Sequence, residues 1–140
     1  MSSGNVDLAL IAKLAGDATL ATLAPGGVFR EVAPQGVAEP YVIVQLMGHR
    51  DDYQLQRAQA FEDCTYMVKA VQQSNSGTAA QAVADRVQAL LQNGTLTITG
   101  YRLVNMMRTE RIAYVEIDED RDRRYQHRGA LYELLVEPTA

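Results

Sequence analysis

Hydrophobic positions along the chain follow two different periods, and the switch between them divides the sequence into elements. Ala80, Val83, Ala84, Val87, Leu90 and Leu91 recur at helical spacing, with Gln81, Asp85, Arg86 and Gln88 between them, which predicts one amphipathic helix with a single buried face. Ser76 or Thr78 is placed to cap its start, and Asn93-Gly94 to stop it. From Phe61 to Val71 the period is two: Cys64, Tyr66, Val68 and Ala70 share one face and Asp63, Thr65, Met67 and Lys69 the other, the pattern of a half-buried strand. Tyr41 to Met47 is an apolar, β-branched run of strand length, entered from a stiff loop in which Pro34 and Pro40 fix φ and Gly36 supplies the corner.

The remaining segments read more loosely. Asn5 is placed to cap a first short helix through Leu10, Ile11 and Leu14, with Gly16 ending it, and Asp17 to cap a second turn that stops at Pro25-Gly26-Gly27. Val28 to Val32 is short and extended. Thr95 to Val104 reads as a strand continuing through Arg108 with a kink at Gly100, and Ala130 to Val136 as the closing strand before Pro138. Gly48 to Gln59 is too long and polar for a tight turn and is expected to be an extended loop or arm. The order helix, strand, strand, strand, helix, strand, strand predicts an α+β fold: a mainly antiparallel sheet with an N-terminal helix and the long amphipathic helix packed on one face.

Composition narrows the function classes. At 140 residues the chain is one domain by length, and burying roughly two-thirds of its unfolded surface needs no covalent staple. Cys64 is the only cysteine, so neither an intramolecular disulfide nor a multi-cysteine metal site is possible within one chain. A net charge of −4 argues against general nucleic-acid binding. No apolar run approaches the roughly 20 residues that span a bilayer, and the start M-S-S-G-N-V-D lacks a secretory pattern. The chain is therefore expected in a cytoplasm and off the membrane.

The sequence offers little for catalysis on this background. No glycine-rich phosphate loop exists, and His49 and His127 lie in polar segments far apart, neither opening a helical metal pair. A Cys64–His127 nucleophile pair is disfavoured because Cys64 sits mid-strand among apolar neighbours. The cluster Asp118, Glu119, Asp120, Asp122 is interleaved with Arg121, Arg123 and Arg124 and has no glycine turn, which points to a solvated loop rather than a cation site. No catalytic residue, cofactor or metal is expected.

The arginines carry more information. Seven lie between Arg102 and Arg128, while Lys13 and Lys69 are the only lysines. Arginine is the residue of bidentate pairing to carboxylates, so Arg108 to Arg128, with its D-E-D-R-D-R-R core, reads as a charged excursion between two strands. Two uses are open: neutralisation within the loop, or docking between identical subunits.

The stretch A-P-Q-G-V-A-E-P-Y-V-I-V-Q, followed by F-E-D-C-T-Y-M-V-K-A, the single amphipathic helix and a late charged strand pair, resembles the tail-completion or tail-terminator proteins of long-tailed bacteriophages and related particles. The resemblance runs over residues 1–140 as one tail-terminator-like domain. It implies a non-enzymatic virion protein at the tail–neck junction, assembled in the host cytoplasm. Such a protein forms a homo-hexameric ring on the last ring of tail tube protein, ends tube polymerisation and offers the head-tail joining surface to a neck or head-completion protein. Genomic DNA passes through the ring without sequence-specific binding. On this reading the contacts with neighbouring subunits, tube or neck fall on Arg50, Asp51, Asp52, Arg57, Arg108, Arg111, Glu116, Asp118, Glu119, Asp120, Arg121, Arg123 and Arg124. Glu116, Asp118, Glu119 and Asp120 are alternatively placed on the DNA channel, where negative charge keeps DNA from sticking. Alternative readings are a head-closure or stopper protein of the neck, and a ferredoxin-like module binding a ligand or RNA through sheet tyrosines such as Tyr101 and Tyr114.

Overall fold

A computed structural model describes residues 4–52 and 61–139. Five strands form one sheet in the order β1-β2-β3-β5-β4: β1 (Val28–Arg30), β2 (Tyr41–Asp52), β3 (Phe61–Gln73), β4 (Tyr101–Asp118) and β5 (Arg123–Pro138). Every pairing is antiparallel except β1 with β2, which run parallel. Three helices, α1 (Gly4–Ala15), α2 (Ala18–Leu23) and α3 (Thr78–Leu91), cover one face. The expected α+β architecture is thus present.

The alternation in β3 decides which face is covered. Cys64, Tyr66, Val68 and Ala70 are all buried, while Asp63, Thr65, Met67 and Lys69 between them are only partly so. Their partners across β5, Leu134, Tyr132, Ala130 and Arg128, point the same way. Onto this face α3 lays Ala80, Val83, Val87 and Leu91, and α1 lays Val6, Leu10 and Leu14. Two buried tyrosines find partners for their hydroxyls, as buried phenols require. Tyr132 donates to Gln88 Oε1 at 2.8 Å, and Tyr66 donates to Asp7. Asp7 is itself buried and also meets Arg30 Nε at 3.0 Å, so one carboxylate ties α1 to β1 and β3.

Local signals explain the helix ends. Asp17 caps α2, accepting from Leu20 N at 2.9 Å, and receives two 2.8 Å bonds from Arg86 of α3. The Arg86 bond first, and the Leu20 amide second, lower its pKa to about 2. Asn93, at φ 55°, ends the α3 region in the left-handed conformation. Two expected caps differ. Asn5 lies inside α1 and reaches Thr99 O instead, and the N-cap of α3 is Gly77, so no N-cap side chain caps that helix.

The strand boundaries differ more. Residues 95–100 are a link rather than strand, with Gly100 at φ 83°, and β4 starts at Tyr101. β2 does not stop at Met47. It bulges between Leu46 and Gly48 and continues paired to β3 through Asp52, so the first half of the expected polar loop is strand; the remainder lies outside the described residues. The β3–β5 contact demands Gly129, where a Cβ would stand 2.2 Å from Val68 O and 2.5 Å from Lys69 Cα.

Candidate assembly surface

Two hairpins project to opposite ends of the sheet. Tyr41 pairs with Val71 and Asp52 with Phe61, whereas Gln73 pairs with Tyr125 and Glu62 with Val136. The far end of β2–β3 therefore lies beside the root of β4–β5, and the 119–122 tip of β4–β5 beside the root of β2–β3. Both edges of the sheet are largely open among the described residues: β4 apart from Met106 O and Arg108 N, which bond Asn93 N and Gln92 Oε1 at the end of α3 (both 2.9 Å), and β2 beyond Val44, where β1 ends.

The residues expected to carry contacts divide between these features. Arg50, Asp51 and Asp52 sit on the outer part of β2, with Arg50 3.4 Å from Asp63 across the hairpin. Arg57 lies outside the described residues. Arg108 and Arg111 pair in register with Tyr132 and Ala130, so they emerge on the helix side and line a groove against Gln81, Asp85 and Gln88 of α3. Asp118, Arg123 and Arg124 close the β4–β5 hairpin, with Glu119, Asp120 and Arg121 in its turn. The tip is only loosely self-neutralised, with Arg121–Asp118 at 4.0 Å and Arg124–Asp122 at 3.9 Å, among mostly exposed side chains.

Glu116 is different in kind. His127 Nε2 stands 2.9 Å from its Oε1, and the imidazole stacks on Tyr114 with ring centroids 4.4 Å apart and planes 6° from parallel. Lys69 Nζ donates to the Tyr114 hydroxyl at 2.8 Å. Burial lowers the His127 pKa, the Glu116 hydrogen bond opposes that, and Lys69 reinforces it. The cluster was hidden in the sequence because it depends on the pairing of Tyr114 with His127.

A second feature missed in the charge pattern is apolar. Val115 and Ile117 are 45% and 58% exposed on the outer part of β4, with Tyr114 and Met107 also exposed. Their signal was the A-Y-V-E-I run inside the charged excursion.

The nucleophile pair does not form. His127 pairs with Val71, seven residues from Cys64 and on the other face, and burial with nearby carboxylates pushes the Cys64 thiol up to about 12. Tyr101 is buried under the helical layer and offers no stacking surface on the sheet.

A family model described as tail completion protein gp17 matches residues 8–135. The chain belongs to the tail completion protein gp17 family. The matched residues run from α1 to the last turns of β5 and take in both hairpins. Among solved structures, a chain of a structure titled "Virion of native gene transfer agent (GTA) particle" superposes with a TM-score of 0.71 at 21% identity, over 96% of each chain. Another superposes at 0.60 with 16% identity, again over 96% of each. At these identities both establish the shared fold of this tail completion family member. No curated protein matches the sequence.

Proposed function

We propose that this tail completion family member is a structural virion protein that acts as a six-membered ring on the end of the tail tube, stopping tube growth and presenting the surface that joins head or neck. The observation that carries the reading is, among the described residues, the pair of open edges on opposite sides of one sheet, β4 beyond its bonds to the end of α3 and the outer part of β2. A closed ring uses heterologous contacts, in which one surface of each copy meets a different surface of the next. Long exposed edges are otherwise an aggregation liability. Here they carry interleaved charge: Arg50, Asp51 and Asp52 fall on one, and Arg108, Arg111, Asp118, Glu119, Asp120, Arg121, Arg123 and Arg124 on or next to the other.

The family membership supports a place in a phage or phage-like tail, and the likeness to a chain of a gene transfer agent particle fits it. The partners on this reading are copies of the chain, the tail tube protein and a neck protein, with DNA passing through the lumen. The net charge of −4 suits a lumen that must not hold DNA. Weak edge contacts become cooperative once the tube end templates closure. Mixing the purified chain with its tail tube protein and imaging by electron microscopy tests this. Six-membered rings at tube ends are expected; tubes that keep elongating uncapped would sink the proposal.

A further inference from the structure

The helix-covered face of the sheet turns polar at the far end of β2–β3. His49 pairs with buried Cys64 and Asp51 with Glu62, so all three polar side chains leave the sheet on its core side. Glu62 occupies the next inward position of the β3 alternation after Cys64, where packing alone calls for an apolar residue.

The geometry there is close. His49 Nε2 stands 2.5 Å from Glu62 Oε1 and 3.9 Å from Asp51 Oδ1, and one ligand atom from each residue lies within 4.8 Å of the others. The Glu62 side chain is 3% exposed. Among the described residues its second oxygen, Oε2, is buried and makes no hydrogen bond of ordinary geometry. Tyr101, a residue 5% exposed, stands beside this carboxylate: burial first, then the interaction of its hydroxyl with Glu62, raises its pKa. A buried carboxylate that meets one imidazole and one phenol is costly unless a cationic partner meets it.

We propose that His49, Asp51 and Glu62 form a binding site for a divalent transition-metal ion of the zinc class, with solvent completing its shell. One imidazole nitrogen and two carboxylate oxygens suit a borderline ion, whereas magnesium and calcium favour all-oxygen shells of six or more ligands. Ligand atoms around a tetrahedral zinc ion with bonds of about 2.0–2.1 Å stand about 3.3 Å apart. The 2.5 and 3.9 Å separations bracket that value. Small rotations of His49 and Asp51, whose side chains are 21% and 45% exposed, bring both into range while buried Glu62 stays in place. Two carboxylates neutralise the ion, which then ties β2 to β3.

Isothermal titration of the full chain with zinc chloride and, separately, magnesium chloride tests the site. One equivalent of zinc is expected to bind, with no comparable magnesium binding. Because even outer-shell partners cost about tenfold or more in metal affinity, His49→Gln and Asp51→Asn are each expected to weaken zinc binding by at least that factor with an unchanged circular dichroism spectrum. His127→Gln, which removes the only other histidine, is expected to leave the isotherm intact. Zinc is also expected to raise the melting temperature of the wild type but not of Asp51→Asn. Absence of zinc binding, equal magnesium binding, an isotherm unchanged in Asp51→Asn, or binding lost in His127→Gln each overturns the site. Should His49→Gln unfold, the exposed Asp51 variant decides alone.

Discussion

Tyr132 and Ile117 leave the β4–β5 hairpin on the same face, yet one is 1% exposed and the other 58%. The first lies under α3 and donates to Gln88; the second lies beyond the helical layer. Burial is therefore set by where the helices stop, not by the pattern of the strand itself. The covered middle of the sheet holds the fold, and the outer part of β4–β5 is held by cross-strand pairing and the Lys69–Tyr114–His127–Glu116 cluster. A region that contributes little to the core is free to carry apolar and charged side chains on its surface.

The largest effect that can break this comparison comes from the core. Leu10 is fully buried between α1 and the sheet, and Leu10→Ala is expected to cost about 2–5 kcal/mol through lost burial and the cavity left behind. Ile117→Ala is expected to change stability by less than about 0.5 kcal/mol. Urea unfolding of both variants measures the difference. Comparable losses would mean that the outer part of β4–β5 is part of the core after all.

The sequence made the covered half legible for a physical reason. Period-two burial in β3 and period-3.6 burial in α3 are local consequences of a sheet packed on helices, and Asp17, Gly16 and Asn93-Gly94 mark helix ends through their own backbone chemistry. The strand limits were not legible. β2 from Gly48 to Asp52 and β4 from Arg108 to Asp118 lack alternation because neither face is deeply covered there, so composition looked like loop while cross-strand hydrogen bonding made strand. The site residues split the same way. The charges of Arg121, Arg123 and Arg124 stood out, but the pairing of Glu116 with His127, and of His49 with Glu62, exists only once register is known.

An intermediate effect tests the polar cluster. His127 is held against Tyr114 and Glu116 of β4 and Lys69 of β3, with Tyr41, Tyr125 and Asp118 lining the same cleft. Its pKa is lowered from 6.5, so the unfolded chain binds its proton more readily. The resulting contribution to stability is complete above pH 6.5 and is lost as the pH falls below it toward the folded pKa. Melting temperatures between pH 8 and 5 are expected to fall more steeply for the wild type than for His127→Gln. Parallel profiles would show that the imidazole is not held neutral by its surroundings.

A small expected change in stability accompanies the sharpest test of what the β4–β5 tip is for. Reversing Arg121, Arg123 and Arg124 together to Glu removes contacts of 4.0 and 3.9 Å between largely exposed groups, which are worth at most about 1 kcal/mol. If those arginines serve only to neutralise the tip, folding and particle formation both survive. If they meet acidic groups on a neighbouring copy or on the tube, charge reversal turns attraction into repulsion at every contact of the ring, and closure multiplies the loss. The triple variant is therefore expected to unfold in urea close to the wild type and yet fail to cap tail tubes in electron micrographs. Normal caps would return the tip to a solvated turn and leave the exposed apolar pair Val115 and Ile117 as a remaining candidate for the contact.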